Sequence, residues 1–159
     1  MDGFKLTGKY IWELERNGKI IWSEEKNNMI VNQGLNHFLD VVLSDGTPDS
    51  THYIGLKGSG IISVSDTLAS HGGWSEITNY SGDRKEWVEA GVASQSISNS
   101  ASTADFTFTS NSTIYGAFLC SVASGSTGTL ISVSNFSLEQ DVLIADILHV
   151  TYTMSISSV

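Results

Sequence analysis

At 159 residues, with 40% apolar and only 16% charged side chains, the chain is sized for one domain that buries a proper core without metal or disulfide staples. A net charge of −9, from 17 acidic and 8 basic residues, excludes a binder of nucleic-acid phosphates and disfavours an anionic membrane surface. The single cysteine excludes an intramolecular disulfide, and the apolar run Ala117–Cys120 marks it as a buried hydrophobe in place of a nucleophile.

Residues 4–31 read as a hairpin. Phe4, Leu6, Tyr10, Trp12 and Leu14 share even positions, as one face of a strand requires. Asn17-Gly18 is a type I′ turn signal, because both central residues of that turn need positive φ. The return strand carries Ile20 and Trp22, which places Trp12 and Trp22 for pairing across the strands. Core or interface packing accounts for such aromatics more simply than a sugar-stacking platform. The N-terminal stretch lacks the apolar core of a signal peptide, and no segment approaches membrane-spanning length, so the expectation is synthesis and folding in a cytoplasm.

Residues 32–43 carry the one main helix. Asn32 is the expected N-cap, and Leu35, Phe38, Leu39 and Val42 fall at i, i+3, i+4 and i+7. His37 reads as a solvated histidine on the polar side. The turn residues Ser44–Asp49 end the helix, and His52–Leu56 forms a short strand. The loop Lys57–Gly60 lacks the Lys-Ser/Thr pair of a phosphate cradle.

Residues 66–84, D-T-L-A-S-H-G-G-W-S-E-I-T-N-Y-S-G-D-R, interrupt the β pattern. Asp66 is expected to cap a helical turn through Leu68 and Ala69, with Gly72-Gly73 stopping it. Trp74–Ile77 alternates like a strand and Ser81–Asp83 turns the chain. Asp66, His71, Glu76 and Arg84 suggest chemistry, yet no catalytic scaffold accompanies them. The loop is read as structural or interactive, not catalytic.

Beyond it the chain is almost pure β. Expected strands cover 86–90, 94–97, 104–108, 113–122, 130–136 and 147–156, with Leu138–Asp141 as a connection. The run 113–122 reads as a buried central strand. About eight or nine short strands at roughly ten-residue spacing indicate a mainly β chain, an antiparallel β-sandwich of jelly-roll type with one main α-helix. His37, His52, His71 and His149 have no paired ligand spacing, so neither metal nor other cofactor is expected. The acidic residues show no glycosidase pairing, and no enzyme is expected.

Five strings carry a resemblance: N-N-M-I-V-N-Q-G-L-N-H-F-L-D at 27–40, Y-I-G-L at 53–56, D-T-L-A-S-H-G-G-W-S-E at 66–76, A-D-F-T-F at 104–108 and I-Y-G-A-F-L at 114–119. From about residue 8 onward the chain resembles a family of small virion proteins of tailed bacteriophages, whose members are labelled as capsid decoration or cement proteins, or as tail or fibre proteins. The resemblance implies a structural virion component without catalysis. The short length, single domain, acidic charge and absence of a fibre repeat favour a decoration protein on the capsid surface, synthesised in the host cytoplasm. Its partners would be the major capsid protein and further copies of itself, as a dimer or trimer, with no nucleic acid and no membrane. A tail or fibre protein attaching to the host surface is the alternative. Interface cores favour Trp, Tyr and Arg, which makes Tyr10, Trp12, Trp22, His71, Trp74, Tyr80 and Arg84 the candidate partner interface.

Overall fold

The computed structural model describes residues 3–159. In chain order it contains β1 (Phe4–Arg16), β2 (Lys19–Asn27), β3 (Met29–Ile30), α1 (Asn32–Leu43), β4 (Tyr53–Gly60), β5 (Trp74–Ile77), β6 (Lys85–Glu86), β7 (Ser96–Ser98), β8 (Ala104–Thr107), β9 (Ser112–Cys120), β10 (Leu130–Val142) and β11 (Ile147–Ser158). The first sheet runs β2-β1-β11, and both β7 and β8 pair with the far side of β11. The second runs β3-β10-β9-β4-β5, with β6 beside the start of β4. Every pairing is antiparallel, and the two sheets pack face to face as a sandwich.

Period two does its work in the first sheet. Tyr10, Trp12 and Leu14 of β1 and Leu148, Val150 and Tyr152 of β11 alternate inward and are fully buried. The two strands pair from Phe4↔Ser158 to Glu15↔Ile147. Asn17 (φ 53°) and Gly18 (φ 77°) form the expected primed turn. Trp12 and Trp22 do not face each other, however. The two-residue turn pairs Arg16 with Lys19, a register that already carries Trp12 past Trp22, and an irregularity beside Leu14 adds one more residue, so Trp22 pairs with Leu14 and Trp12 with Glu24. Both indoles instead meet the ring of Phe136, at 4.7 and 4.9 Å.

The second sheet is covered on both faces. Its outer face carries Phe118, Cys120, Leu130 and Val133, and the loop between β4 and β5 folds over them with Leu68 and Trp74, forming a second core. There is no helical turn at Asp66. Its carboxylate accepts from the Ser63 amide behind it and from the Trp74 indole, at 2.8 and 2.9 Å. Thr67 and Ser70 close a tight turn instead. Gly72 and Gly73 are not left-handed; Gly60 is, at φ 118°, and a Cβ on Gly60 would collide with the Gly73 carbonyl. The loop is therefore a lid clamped to the end of β4.

Two further expectations change. Leu138–Asp141 is no connection: β10 continues to Val142, and its pairing with β9 jumps between Asn135 and Gln140. That jump drops Phe136 into the core and leaves Leu138 outside. Of residues 86–90 only Glu86 lies in a strand. Trp87 donates its amide to His52 and its indole N–H to Tyr152, tying the two sheets at one end of the sandwich.

Helix α1 lies across that end. Val31 occupies the N-cap position without a side-chain bond, and Asn32 is the first helical residue, its amide satisfied by the Val64 carbonyl of the lid. Gln33 is the latch. Its Oε1 accepts from Leu68 of the lid at 3.0 Å and from Leu130 of β10 at 2.7 Å. Gln33→Ala strands two amides and is expected to cost about 1–3 kcal/mol in urea unfolding, whereas an unchanged midpoint would show that water satisfies them.

Candidate interaction surface

The aromatic and arginine residues expected at an interface serve the interior. Tyr10, Trp12, Trp74, Tyr80 and Arg84 are buried. Tyr10 stacks on Trp12 at 5.3 Å and shares a hydrogen bond with Ser132. Tyr80 meets Phe106 edge-on at 4.8 Å. Trp22 and His71 are half-buried: Trp22 lies against Phe136, and His71 stacks on Trp74 at 3.9 Å with Nδ1 on the Trp74 carbonyl. The expected interface is thus corrected for its five buried members, whose surface is consumed within the fold.

Arg84 shows why. Its fork is bidentate to Glu76 (2.8 Å to each oxygen), and its remaining donors reach the carbonyls of Val122 (3.0 Å) and Gly125 (2.9 Å). Burial works against its charge, but Glu76 outweighs this and holds the guanidinium pKa above its ordinary value. Beside it, burial pushes the Cys120 thiol up, away from the reactive thiolate. Lys57 is fully buried on the lid side of β4, where Nζ donates to the carbonyls of Gly58 and Gly60 at 2.9 Å each and lies 5.7 Å from the Trp74 ring. Burial, opposed by nearby Asp66, pushes its pKa down to about 8.

The other three histidines fall into two settings. His37 is not simply solvated. Its Nε2 lies 2.9 Å from Asp49 Oδ2, with His52 Nε2 at 3.8 Å from the same atom. Neither contact is aligned as a hydrogen bond, and Oδ2 is buried without a hydrogen-bond partner. Burial lowers the His52 pKa despite Asp49. Among the described residues, no group of three or more His, Cys, Asp or Glu is arranged to hold a metal ion.

On the outer face of the first sheet, His149 bridges Glu15 and Asp105, at 2.7 Å to each. Partial burial disfavours its charge, yet the two carboxylates raise its pKa above the ordinary 6.5. A raised folded pKa contributes stability that is complete below about 6.5 and is lost as pH climbs through the folded value. The difference in urea midpoint between the native chain and His149→Gln is therefore expected to be larger near pH 6 than near pH 8. A constant difference would refute the bridge as a charged one. Subtracting the variant removes the opposite contribution of His52.

What remains at the surface is α1. Only Gly34 of the helix is buried, pressed on the Ile131 backbone where a Cβ would clash. Of the expected apolar stripe Leu35, Phe38, Leu39 and Val42, all but Phe38 face outward: Leu35, Leu39 and Val42 are 38%, 45% and 56% exposed, and neighbouring Leu43 is 74% exposed. Phe38 turns inward, 6.3 Å from Phe4. Between the helix and the end of the sandwich lies an apolar cavity of about 210 Å³, lined by Phe38 and Val41 of α1, Leu6 and Met154 of the first sheet, and Leu119 and Ile131 of the second. Sequence periodicity finds the stripe. The signal for its outward orientation is the helical glycine, which marks the side where backbone touches backbone. No family model matches this chain, and no curated protein matches it in sequence.

Proposed function

We infer that the chain is a non-enzymatic structural virion protein, a decoration or cement protein that seats on the outer face of a phage capsid and stabilises it. The observation that carries this reading is the outward apolar stripe of α1, which marks the chain as one that assembles with other protein chains. Monomeric soluble proteins rarely leave a contiguous apolar strip open unless it meets a partner, and this one is held on a latched, rigid element. The phage-like strings support it by their placement: β3, most of α1, the first half of β4, the lid with the start of β5, and much of β9 come from them, all in or against the second sheet, and A-D-F-T-F supplies β8 of the first. The sandwich is read as jelly-roll-like because β1 lies beside β11 and β3 beside β10, nesting the early strands against the late ones. The hairpins β1–β2 and β9–β10 are additions to that pattern.

The partners in this reading are the major capsid protein and other copies of the chain, with the virion surface as its location. The burial of Trp12, Trp74 and Trp87 withdraws them from a sugar-stacking surface on a tail and from a capsid contact alike, so the tail or fibre alternative is separated from the capsid reading only by where the protein sits on the particle. Purified protein added to undecorated particles is expected to appear as ordered density on the shell by cryo-electron microscopy and to raise the temperature of particle disruption. Density confined to the tail, or none on the shell, would overturn the reading.

A further inference from the structure

We propose that α1 is a two-fold self-association surface, on which a second copy of this chain lays its own α1 antiparallel across Leu35, Leu39, Val42 and Leu43. This names the self-partner within the structural reading above, and it rests on that reading only for the expectation that the chain assembles with itself.

Spacing selects the occupant first. Exposed apolar residues at 35, 39 and 42 recur at the 3–4 interval that accepts the ridges of another helix. Among the described residues α1 is the only helix, so a second copy offers a matching stripe of equal length. A two-fold axis near Leu39 would set Leu35 of one protomer against the Val42–Leu43 end of the other, which is the self-complementarity an isologous contact requires.

Charge selects it second. At a net −9, two copies repel wherever acidic surface meets acidic surface. The stripe escapes this. The first turn of α1 carries no acid and the last turn no base, and His37 is turned aside onto Asp49. Asp40 is the one carboxylate on the helix. Antiparallel helices also oppose their dipoles, which removes a further repulsion.

Area and rigidity come third. The four exposed stripe residues together with Phe4, 55% exposed, present on the order of 500 Å² per copy, so a symmetric pair buries about 1,000 Å², the lower end for a specific interface. Gln33 and Gly34 already hold the helix in place, so little ordering cost is added on association. A concentration-dependent dimer is expected, not an obligate one.

The test is sedimentation equilibrium of the full chain from low micromolar to several hundred micromolar concentration. The native chain should move from monomer to dimer. Leu39→Glu should weaken the dimer at least ten-fold while leaving circular dichroism and the unfolding midpoint unchanged; Ile21→Glu, on exposed β2, should leave association as it was. Leu39→Cys, exposed to oxidised glutathione, should give a covalent dimer much faster than Ile21→Cys, because only the former meets its own counterpart at the axis. A native chain that stays monomeric throughout, an unperturbed Leu39→Glu dimer, or equal cross-linking of the two cysteine variants would each overturn the proposal. Binding to particles is scored separately. A Leu39→Glu monomer that still decorates shells leaves the virion reading standing, and a native dimer that ignores shells removes the virion reading alone.

Discussion

Arg84→Ala is expected to destabilise the chain by about 3–5 kcal/mol, the cost of breaking a buried ion pair from one side. The side chain is 5% exposed and its partner Glu76 only 21%. Removal strands the Glu76 carboxylate and the Gly125 carbonyl at once and leaves the Val122 carbonyl with only the weak Cys120 thiol donor. It also takes the guanidinium from the Phe118 ring, 5.3 Å away. For a domain of this size the melting temperature should fall by on the order of 10 °C. Arg84→Lys should recover only part of the loss, because an ammonium cannot reproduce the planar fork. Lys9→Ala supplies the contrast: the Lys9–Glu25 pair is 41% and 58% exposed, and its loss should stay within about 1 kcal/mol. Chemical unfolding followed by circular dichroism ranks the three. Equal losses for Arg84→Ala and Lys9→Ala would mean that water reaches the Glu76 pair.

The tryptophans yield the second large effect. Trp12→Ala and Trp74→Ala each empty a core and are expected to cost about 3–5 kcal/mol. Substitution by phenylalanine separates them. The Trp74 indole donates to buried Asp66 at 2.9 Å, so Trp74→Phe leaves that carboxylate with the Ser63 amide and should cost about 1.5–3 kcal/mol for the charged bond beyond the lost area. The Trp12 indole N–H is buried without a partner. Trp12→Phe relieves that donor while it loses area, and should cost clearly less than Trp74→Phe. The reverse order in unfolding midpoints would show that the lid is loosely held and that Trp12 has an unseen partner.

These same residues show how far the sequence could be read. Alternation revealed β1 and β11, a continuous apolar run revealed β9, and turn and helix signals revealed the Asn17-Gly18 turn and the helix limits, because each signal lies within a few neighbouring residues. The direction of α1 was illegible. A 3.6-residue period says that Leu35, Leu39 and Val42 share a face, but only the assembled sheets decide whether any layer covers it. Trp12, Trp74 and Arg84 could not be sorted between core and interface either, since both settings favour large amphipathic side chains. Their partners lie far along the chain: Arg84 bonds Val122 and Gly125, and Gln33 bonds Leu130. The β10 irregularity left no local mark, for Leu138–Asp141 has the polarity of an ordinary turn.

The pairing of β1 with β11 along twelve residues, Phe4↔Ser158 to Glu15↔Ile147, also sets a schedule. The earliest described strand has its main partner in the latest one, so the first sheet cannot close until β11 has left the ribosome. At about 5–20 residues per second, the opening hairpin waits on the order of ten seconds with one backbone edge open. Lys5 and Lys9 stand on that waiting strand, where charge discourages pairing with a neighbouring nascent chain. Closure of so long a loop is slow for entropic reasons, and crowding during high-level synthesis should divert chains towards aggregation before β11 arrives more than after it.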